Sequence, residues 1–244
     1  MRPTVVEVAP RGDGVTCSLE GDLVIPRLIR RRGRSVDVAL VAGRAMLLPG
    51  DDVRMRISVG EGCTLGLVDI GGLVVYGRDG EPGDASQWHA GVDLGTDAHL
   101  VWDSLPTVIT DAGVLTRSLT VRLAAGASAR VRETLVLGRT DERGGRLRAD
   151  TDVADADGPL LRETLEVGGR DHVPGVLGAA RVMDGIISIG DHAAIGDAPG
   201  AARLDLERGG TVLRYLGADA HSSPLGGVFA EAAIEHETGA PHVV

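Results

Sequence analysis

The stretch Val53-Arg54-Met55-Arg56-Ile57-Ser58-Val59, followed by Gly60-Glu61-Gly62 and then by Cys63-Thr64-Leu65-Gly66-Leu67-Val68, decides the fold class. Val53, Met55, Ile57 and Val59 alternate with Arg54, Arg56 and Ser58. A period of two puts apolar side chains on one face of a strand and polar ones on the other. Gly60-Glu61-Gly62 reads as the turn and Cys63 to Val68 as the returning strand. The unit recurs three times. Ala90 to Leu94 turns at Gly95-Thr96-Asp97 and returns through His99 to Trp102. Leu119 to Leu123 turns at Ala125-Gly126-Ala127 and returns through Ala129 to Leu137. Thr151 to Ala154 turns at Asp157-Gly158-Pro159 and returns through Leu160 to Val167. A lone hairpin is marginal in water, so several must stack to bury a common face. The expected architecture is therefore all-β, built of stacked β-hairpins or layered sheets, solenoid-like in its repetition, with little helix.

Helical patterning is confined to the C-terminal region. Ser222-Ser223-Pro224 offers an N-cap with Pro just inside, and Val228 to Glu237 is the best helical window. The expectation is one domain over 1–244, a helix at about 222–237 and a frayed tail at 238–244.

Composition narrows the function. All 25 basic residues are arginine, and Asn is absent as well. A chain without Lys or Asn has no Walker-A lysine, no Schiff-base lysine, no Ser–Lys dyad and no Cys–His–Asn triad. The net charge of −10 argues against a nucleic-acid partner. Cys17 and Cys63 are too few for a disulfide scaffold or a zinc cluster. No apolar run is long enough for a membrane helix and no secretory h-region opens the chain, which points to a cytoplasmic protein with no membrane partner. Aromatic residues are only 2%, so Val, Leu, Ile and Ala must fill the core.

Few residues suggest chemistry. The histidines, His89, His99, His172, His192, His221, His236 and His242, form no helical i, i+4 pair and no HExxH frame. Only the adjacencies Asp171-His172, Asp191-His192 and His236-Glu237 hint at weak metal ligation. Gly60-x-Gly62-x3-Gly66 has the wrong spacing and setting for a dinucleotide loop. Arg27, Arg30, Arg31, Arg32 and Arg34 form a basic run on an acidic protein, suited either to an acidic partner or to a charged, solvated strand edge. Arg132-Glu133-Thr134-Leu135 and Arg162-Glu163-Thr164-Leu165 repeat the same four residues. If the repeats stack, Glu133 and Glu163 come together. They would then either bind a passing cation or pair with an arginine, most simply Arg132 or Arg162. With Asp103 they are the candidate internal polar site. No catalytic residues and no resident metal site emerge.

Several stretches, in order, resemble the urease accessory protein UreD (UreH) family. RAMLLPGDDVRMRISVGEGCTLGLVDIGGLVVY, from Arg44 to Tyr76, is similar to its N-terminal signature at Leu47 to Asp52, Val59 to Leu65 and Tyr76. Trp102, Pro106, Thr116-Arg117-Ser118, Leu123 to Ala127, Glu133-Thr134 and Gly138-Arg139 match the family's centre. DGPLLRETLEV (Asp157 to Val167) and PGVLGAARVMD (Pro174 to Asp184) resemble actinobacterial members. A Thr-Thr-Gln run and a Lys common in the family are replaced by Val68, Asp69, Ile70 and Val74. The resemblance implies an all-β, non-catalytic scaffold that binds urease structural subunits and the UreF and UreG accessory proteins. It also implies a place on the route of nickel to the urease active site, with nickel in transit and no tightly bound cofactor. On that reading Glu133, Glu163 and Asp103 lie on the nickel path or serve the structure. The competing reading is a metal-dependent enzyme on a β-solenoid or cupin-like scaffold, which requires at least three converging ligands.

Overall fold

Alternation at Val53–Val59 becomes a strand with Val53, Met55, Ile57 and Val59 buried and Arg54, Arg56 and Ser58 exposed. The computed structural model describes residues 2–78, 83–169, 175–190 and 195–238, with the side chains of 233–238 left aside. In chain order the strands are β1 (Thr4–Arg11), β2 (Gly14–Glu20), β3 (Val24–Arg32), β4 (Ser35–Ala42), β5 (Asp52–Val59), β6 (Thr64–Ile70), β7 (Leu73–Val75), β8 (Ser86–Leu94), β9 (His99–Asp103), β10 (Thr107–Ile109), β11 (Val114–Leu123), β12 (Ser128–Leu137), β13 (Arg146–Asp155), β14 (Gly158–Gly168), β15 (Val182–Ile189), β16 (Ala202–Asp205) and β17 (Thr211–Gly217). Helix α1 (Leu225–Thr238) follows, starting just inside the expected window; the tail beyond it lies outside the described residues. Among the described residues no helix is long and apolar enough to cross a membrane.

The strands form two stacked sheets. One has seven strands in the order β14-β13-β11-β8-β5-β1-β2. The other has ten: β16-β17-β15-β12-β9-β6-β4-β3, with β10 and β7 beside β12. All-β layering and solenoid-like repetition are as expected, but three of the four units read as hairpins are arches. β5 and β6 do not pair. β5 lies parallel to β8 and β1 in the first sheet, while β6 lies parallel to β4 and β9 in the second. β8 and β9, and β11 and β12, are divided between the sheets in the same way. Of those four units, only β13 and β14 close a true antiparallel hairpin, with a bulge at Val153/Ala154. An arch turns the apolar faces of its two strands toward each other across the core, whereas a hairpin lays them side by side. Alternation is identical in both cases, so periodicity alone cannot separate them.

Turn geometry makes the arches stack. Gly62, Asp97 and Gly126 occupy equivalent places and all have left-handed backbone, φ 60°, 51° and 68°. Successive turns are tied rung to rung: the Gly62 N–H donates to the Thr96 carbonyl and the Asp97 N–H to the Ala125 carbonyl, both at 2.9 Å. The residue after each, Cys63, Ala98 and Ala127, is small and buried, capping the core.

Inner faces interlock as ladders. Ile57, Val92, Val121 and Val153 lie in register across one sheet, facing Leu65, Leu100 and Ala129 of the other. Trp88 and Trp102 meet across the layers with ring centroids 6.0 Å apart. A separate cluster forms where Leu225, Phe229 and Ala232 of α1 cover Ile186 and Leu213 on the outer side of the ten-stranded sheet.

Candidate functional site

Five charged residues break the apolar phase of their strands, and all five point between the sheets. Arg117 takes the inner place between Leu115 and Leu119, Glu133 that between Val131 and Leu135, and Glu163 that between Leu161 and Leu165. Asp69 follows Leu65 and Leu67 on β6, and Arg214 follows Val212 on β17. A charge on an inner face is retained only with a partner. Arg117, whose side chain is 7% exposed, crosses from the seven-stranded sheet to pair with Glu133 of the ten-stranded sheet. Its guanidinium also sits over Trp88 at 4.3 Å. In the reverse sense, Arg214 of the ten-stranded sheet donates to Glu163 of the seven-stranded sheet at 2.8 Å. The two pairs form an ionic seam between the layers.

Glu133 and Glu163 line one small cavity of about 30 Å³, with Thr151, Met183, Gly185 and Arg214 among its walls. Their strands do not stack as the repeated wording suggested. β12 belongs to the ten-stranded sheet and β14 to the seven-stranded sheet, so the two carboxylates face each other across the core rather than along a ladder. Their arginine partners are Arg117 and Arg214, not Arg132 and Arg162. Arg132 instead points outward and Arg162 lies against Asp152.

Asp69 stands between the sheets at the end of the inner row of β6. It accepts from Trp102 Nε1 at 3.3 Å. Burial pushes its carboxyl up to about 6, against hydrogen bonds from Trp102 and Ser104 and the nearby charge of Arg117.

Asp103 is not part of this seam. It lies on the outer face of the ten-stranded sheet, where Arg132 bridges it at 3.4 Å to the fully buried Asp184 at 3.1 Å. Thr134 Oγ1 adds a hydrogen bond to Asp184 at 3.0 Å. Burial raises the Asp103 carboxyl, partly offset by the charge and hydrogen bond of Arg132 and reinforced by Asp184.

Each of two histidines is held by a serine on the next rung. His89 Nδ1 is 2.7 Å from Ser118 Oγ, and His99 Nδ1 is 2.8 Å from Ser128 Oγ. His221 is exposed in a short 3-10 turn. His172, His192 and His242, with Asp171 and Asp191, lie outside the described residues, as do the side chains of His236 and Glu237. Among the described residues no three His, Cys, Asp or Glu side chains converge as metal ligands.

Sequence reasoning missed Asp69, Arg117, Arg214 and Asp184. For the first three a signal was present: a charge in the apolar phase of a period-two strand. Asp184 carries no such mark: it lies on the outer face of its strand, in the phase of Ile186, which the cluster under α1 buries.

Large apolar side chains are also exposed at the strand ends of the ten-stranded sheet. Ile70 is 52% exposed, with Leu105, Tyr76 and Leu48 nearby in the chain's folding. The Leu73 N–H donates to the Pro106 carbonyl and the Tyr76 N–H to the Leu47 carbonyl, gathering these loops at one end. Such grouping is typical of a surface that meets another protein.

Comparison with known proteins agrees with the motifs. Residues 20–226 match the family described as "UreD urease accessory protein". "Urease accessory protein UreD 1" of Streptomyces griseus subsp. griseus is 38% identical over 224 residues, covering 89% of this chain and 86% of the relative. A protein of the same description from Saccharopolyspora erythraea is 32% identical over 233 residues, 91% of this chain and 89% of that one. "Urease accessory protein UreD" of Frankia alni is 34% identical over 214 residues, 76% of this chain and 70% of its own. With the layered all-β fold and the ordered motifs, these matches place the chain in the UreD family of urease accessory proteins, whose role is in urease maturation.

Proposed function

We propose that this chain is a non-catalytic, cytoplasmic scaffold that binds the urease apoprotein and the UreF and UreG accessory proteins while nickel is inserted. The observation that carries the reading is the pairing of family membership over 20–226 with exposed Ile70, Leu105, Tyr76 and Leu48 on a rigid two-sheet frame. Rigid sheets with apolar side chains at their ends present a fixed surface at low entropic cost.

Nickel is cargo on this reading, not a resident cofactor. Glu133 and Glu163, between the sheets, and Asp103, on the outer face, are proposed as carboxylates near its route. Each is neutralised by an arginine, so a passing cation meets oxygen ligands only as a guanidinium gives way. Such sites suit passage better than storage.

Co-expression with urease structural subunits and UreF and UreG homologues tests the reading. The expected result is a stable complex and nickel-loaded urease. Glu163→Gln and Asp103→Asn are expected to lower the nickel content of urease while the variants stay folded at the assay temperature, Glu163→Gln losing less stability than Glu133→Gln because Glu163 is the more exposed. No complex, together with unchanged nickel loading when the chain is deleted, overturns the scaffold. Variants that merely unfold reassign both carboxylates to structure.

A further inference from the structure

The two open ends of the sheet stack are treated very differently. At the β14/β16–β17 end, arginines are matched with acids. Arg214 meets Glu163, Arg208 meets Asp155 and Asp157, and Arg203 meets Asp205 and Asp197. At the other end β3 is the outermost strand of the ten-stranded sheet. It carries the arginine run left over from the sequence. Arg30 pairs with Asp37 at 2.6 Å. Among the described residues, no carboxylate lies within ion-pair distance of Arg27, Arg31, Arg32 or Arg34. A chain with 35 acidic residues could have paired these cations easily.

Between the charges stand two exposed apolar side chains, Leu28 at 47% and Ile29 at 57%. Leu28 lies opposite Val38, so it belongs to the inner, apolar phase of the sheet. It continues the core past the edge of the sandwich, where Cys17 and Leu19 of the other edge strand, β2, are only partly buried. The register shift between Leu28 and Arg30 puts Ile29 out of the ladder. Among the described residues no strand lies beyond β3 to pair the outward N–H and C=O groups of Leu28–Arg32.

We propose that this edge, Arg27 to Arg32 with Arg34 beyond it, docks an acidic, extended segment of a partner protein. The inference rests on the scaffold reading and adds to it where one partner binds and what that partner's segment looks like. An added strand would take up the free backbone groups, as strand addition does elsewhere. On its inner side an apolar group would lie on Leu28 and a carboxylate on Arg31, which the register shift returns to the same phase opposite Val36, and on its outer side carboxylates would meet Arg27 and Arg32. Charge alone on an edge guards against unwanted pairing. A guard does not need Leu28 and Ile29 displayed among the charges; a recognition surface does. A nucleic acid is the poorer occupant, since the chain as a whole repels polyanions at a net charge of −10.

The test compares the wild type, the charge-reversal variant Arg27→Glu/Arg31→Glu/Arg32→Glu, and a matched control, Arg56→Glu/Arg146→Glu, on the outward face of the seven-stranded sheet. All altered side chains are exposed, and thermal unfolding verifies each fold. Binding to separately purified urease subunits, UreF and UreG is measured at low and high salt, with a single-stranded oligonucleotide as competitor. Hydrogen exchange is followed across Leu28–Arg32. The triple reversal is expected to weaken one partner's binding by roughly ten-fold or more at low salt and to flatten its salt dependence, while the control stays near wild type. Amides of Leu28–Arg32 should gain protection in that complex. Equal binding by the triple reversal, absence of protection, or displacement by the oligonucleotide overturns the proposal while leaving the scaffold standing. A wild type that binds none of the three proteins overturns both.

Discussion

Replacing Glu133 by glutamine keeps the shape of the side chain and removes its charge, leaving the Arg117 guanidinium between the sheets without its partner. Arg117 is 7% exposed and Glu133 27%. Breaking a buried pair from one side costs about 3–5 kcal/mol, because the remaining ion stays desolvated. Two features reduce that figure: Glu133 is partly open to water, and Arg117 keeps both the Trp88 face at 4.3 Å and the influence of Asp69. The expected loss is therefore about 2–3 kcal/mol. For a domain of this size that lowers the unfolding temperature by about 5–10 °C. Far-UV circular dichroism reads the transition, and Trp88 fluorescence reports locally, since the cation rests on that ring. The double variant Arg117→Met/Glu133→Leu replaces the pair with apolar groups of similar size and should lie closer to wild type than Glu133→Gln does. A shift under about 1 °C for Glu133→Gln, or a double variant at least as unstable as the single one, would refute the ionic seam.

Two further outcomes follow from the geometry. Asp69 titrates near 3.8 when unfolded and at about 6 when folded, so between those values the folded state holds a proton that the unfolded chain has released. Stability therefore falls as pH rises through this window and levels off above about 6. Asp69→Asn should raise stability at pH 7 by about 1–2 kcal/mol, less than the full linkage because an amide N–H₂ cannot accept from Ser104 and Leu105. Urea midpoints for the two proteins should converge below pH about 4; a variant weaker than wild type at pH 7 contradicts the assignment. Gly126 has φ +68°, and a Cβ built there would lie 2.0 Å from Asp97 Oδ1. Gly126→Ala should cost about 2–3 kcal/mol, falling to about 1–2 kcal/mol in an Asp97→Gly background, where only the left-handed backbone remains to be strained. A double-mutant cycle with no coupling would mean that the arch turns are not stacked.

Strand positions were legible because a strand with one buried face imposes a period of two on its own residues. Val53–Val59, Leu119–Leu123 and Ala90–Leu94 all fall within observed strands. Turn sites were legible because left-handed backbone selects Gly or Asp, as at Gly62, Asp97 and Gly126. The sheet to which each strand belongs was not legible. β5 and β6 would show the same alternation as a hairpin or as an arch. The choice depends on β1, β4, β8 and β9, which supply their parallel partners.

The candidate site divides along the same line. Glu133, Glu163 and Asp103 were singled out from local wording, and the fold brings only the first two together. Identical four-residue runs around Glu133 and Glu163 suggested stacking, but their strands belong to opposite sheets and take their arginines from across the core.

From the chain alone came the all-β class, the repeated turns, the C-terminal helix, the family and the arginine-rich segment at Arg27–Arg34. Each of these is written in neighbouring residues, because alternation, turn chemistry and motif order act over a few positions. Tertiary structure decided that the turns are arches, that Asp103 and Glu133 face opposite sides of one sheet, and that, among the described residues, Arg27, Arg31 and Arg32 of β3 stand without an acid while Arg30 takes Asp37. Those properties arise from residues distant along the chain, and an ion's worth depends on which charges and how much water the fold leaves beside it.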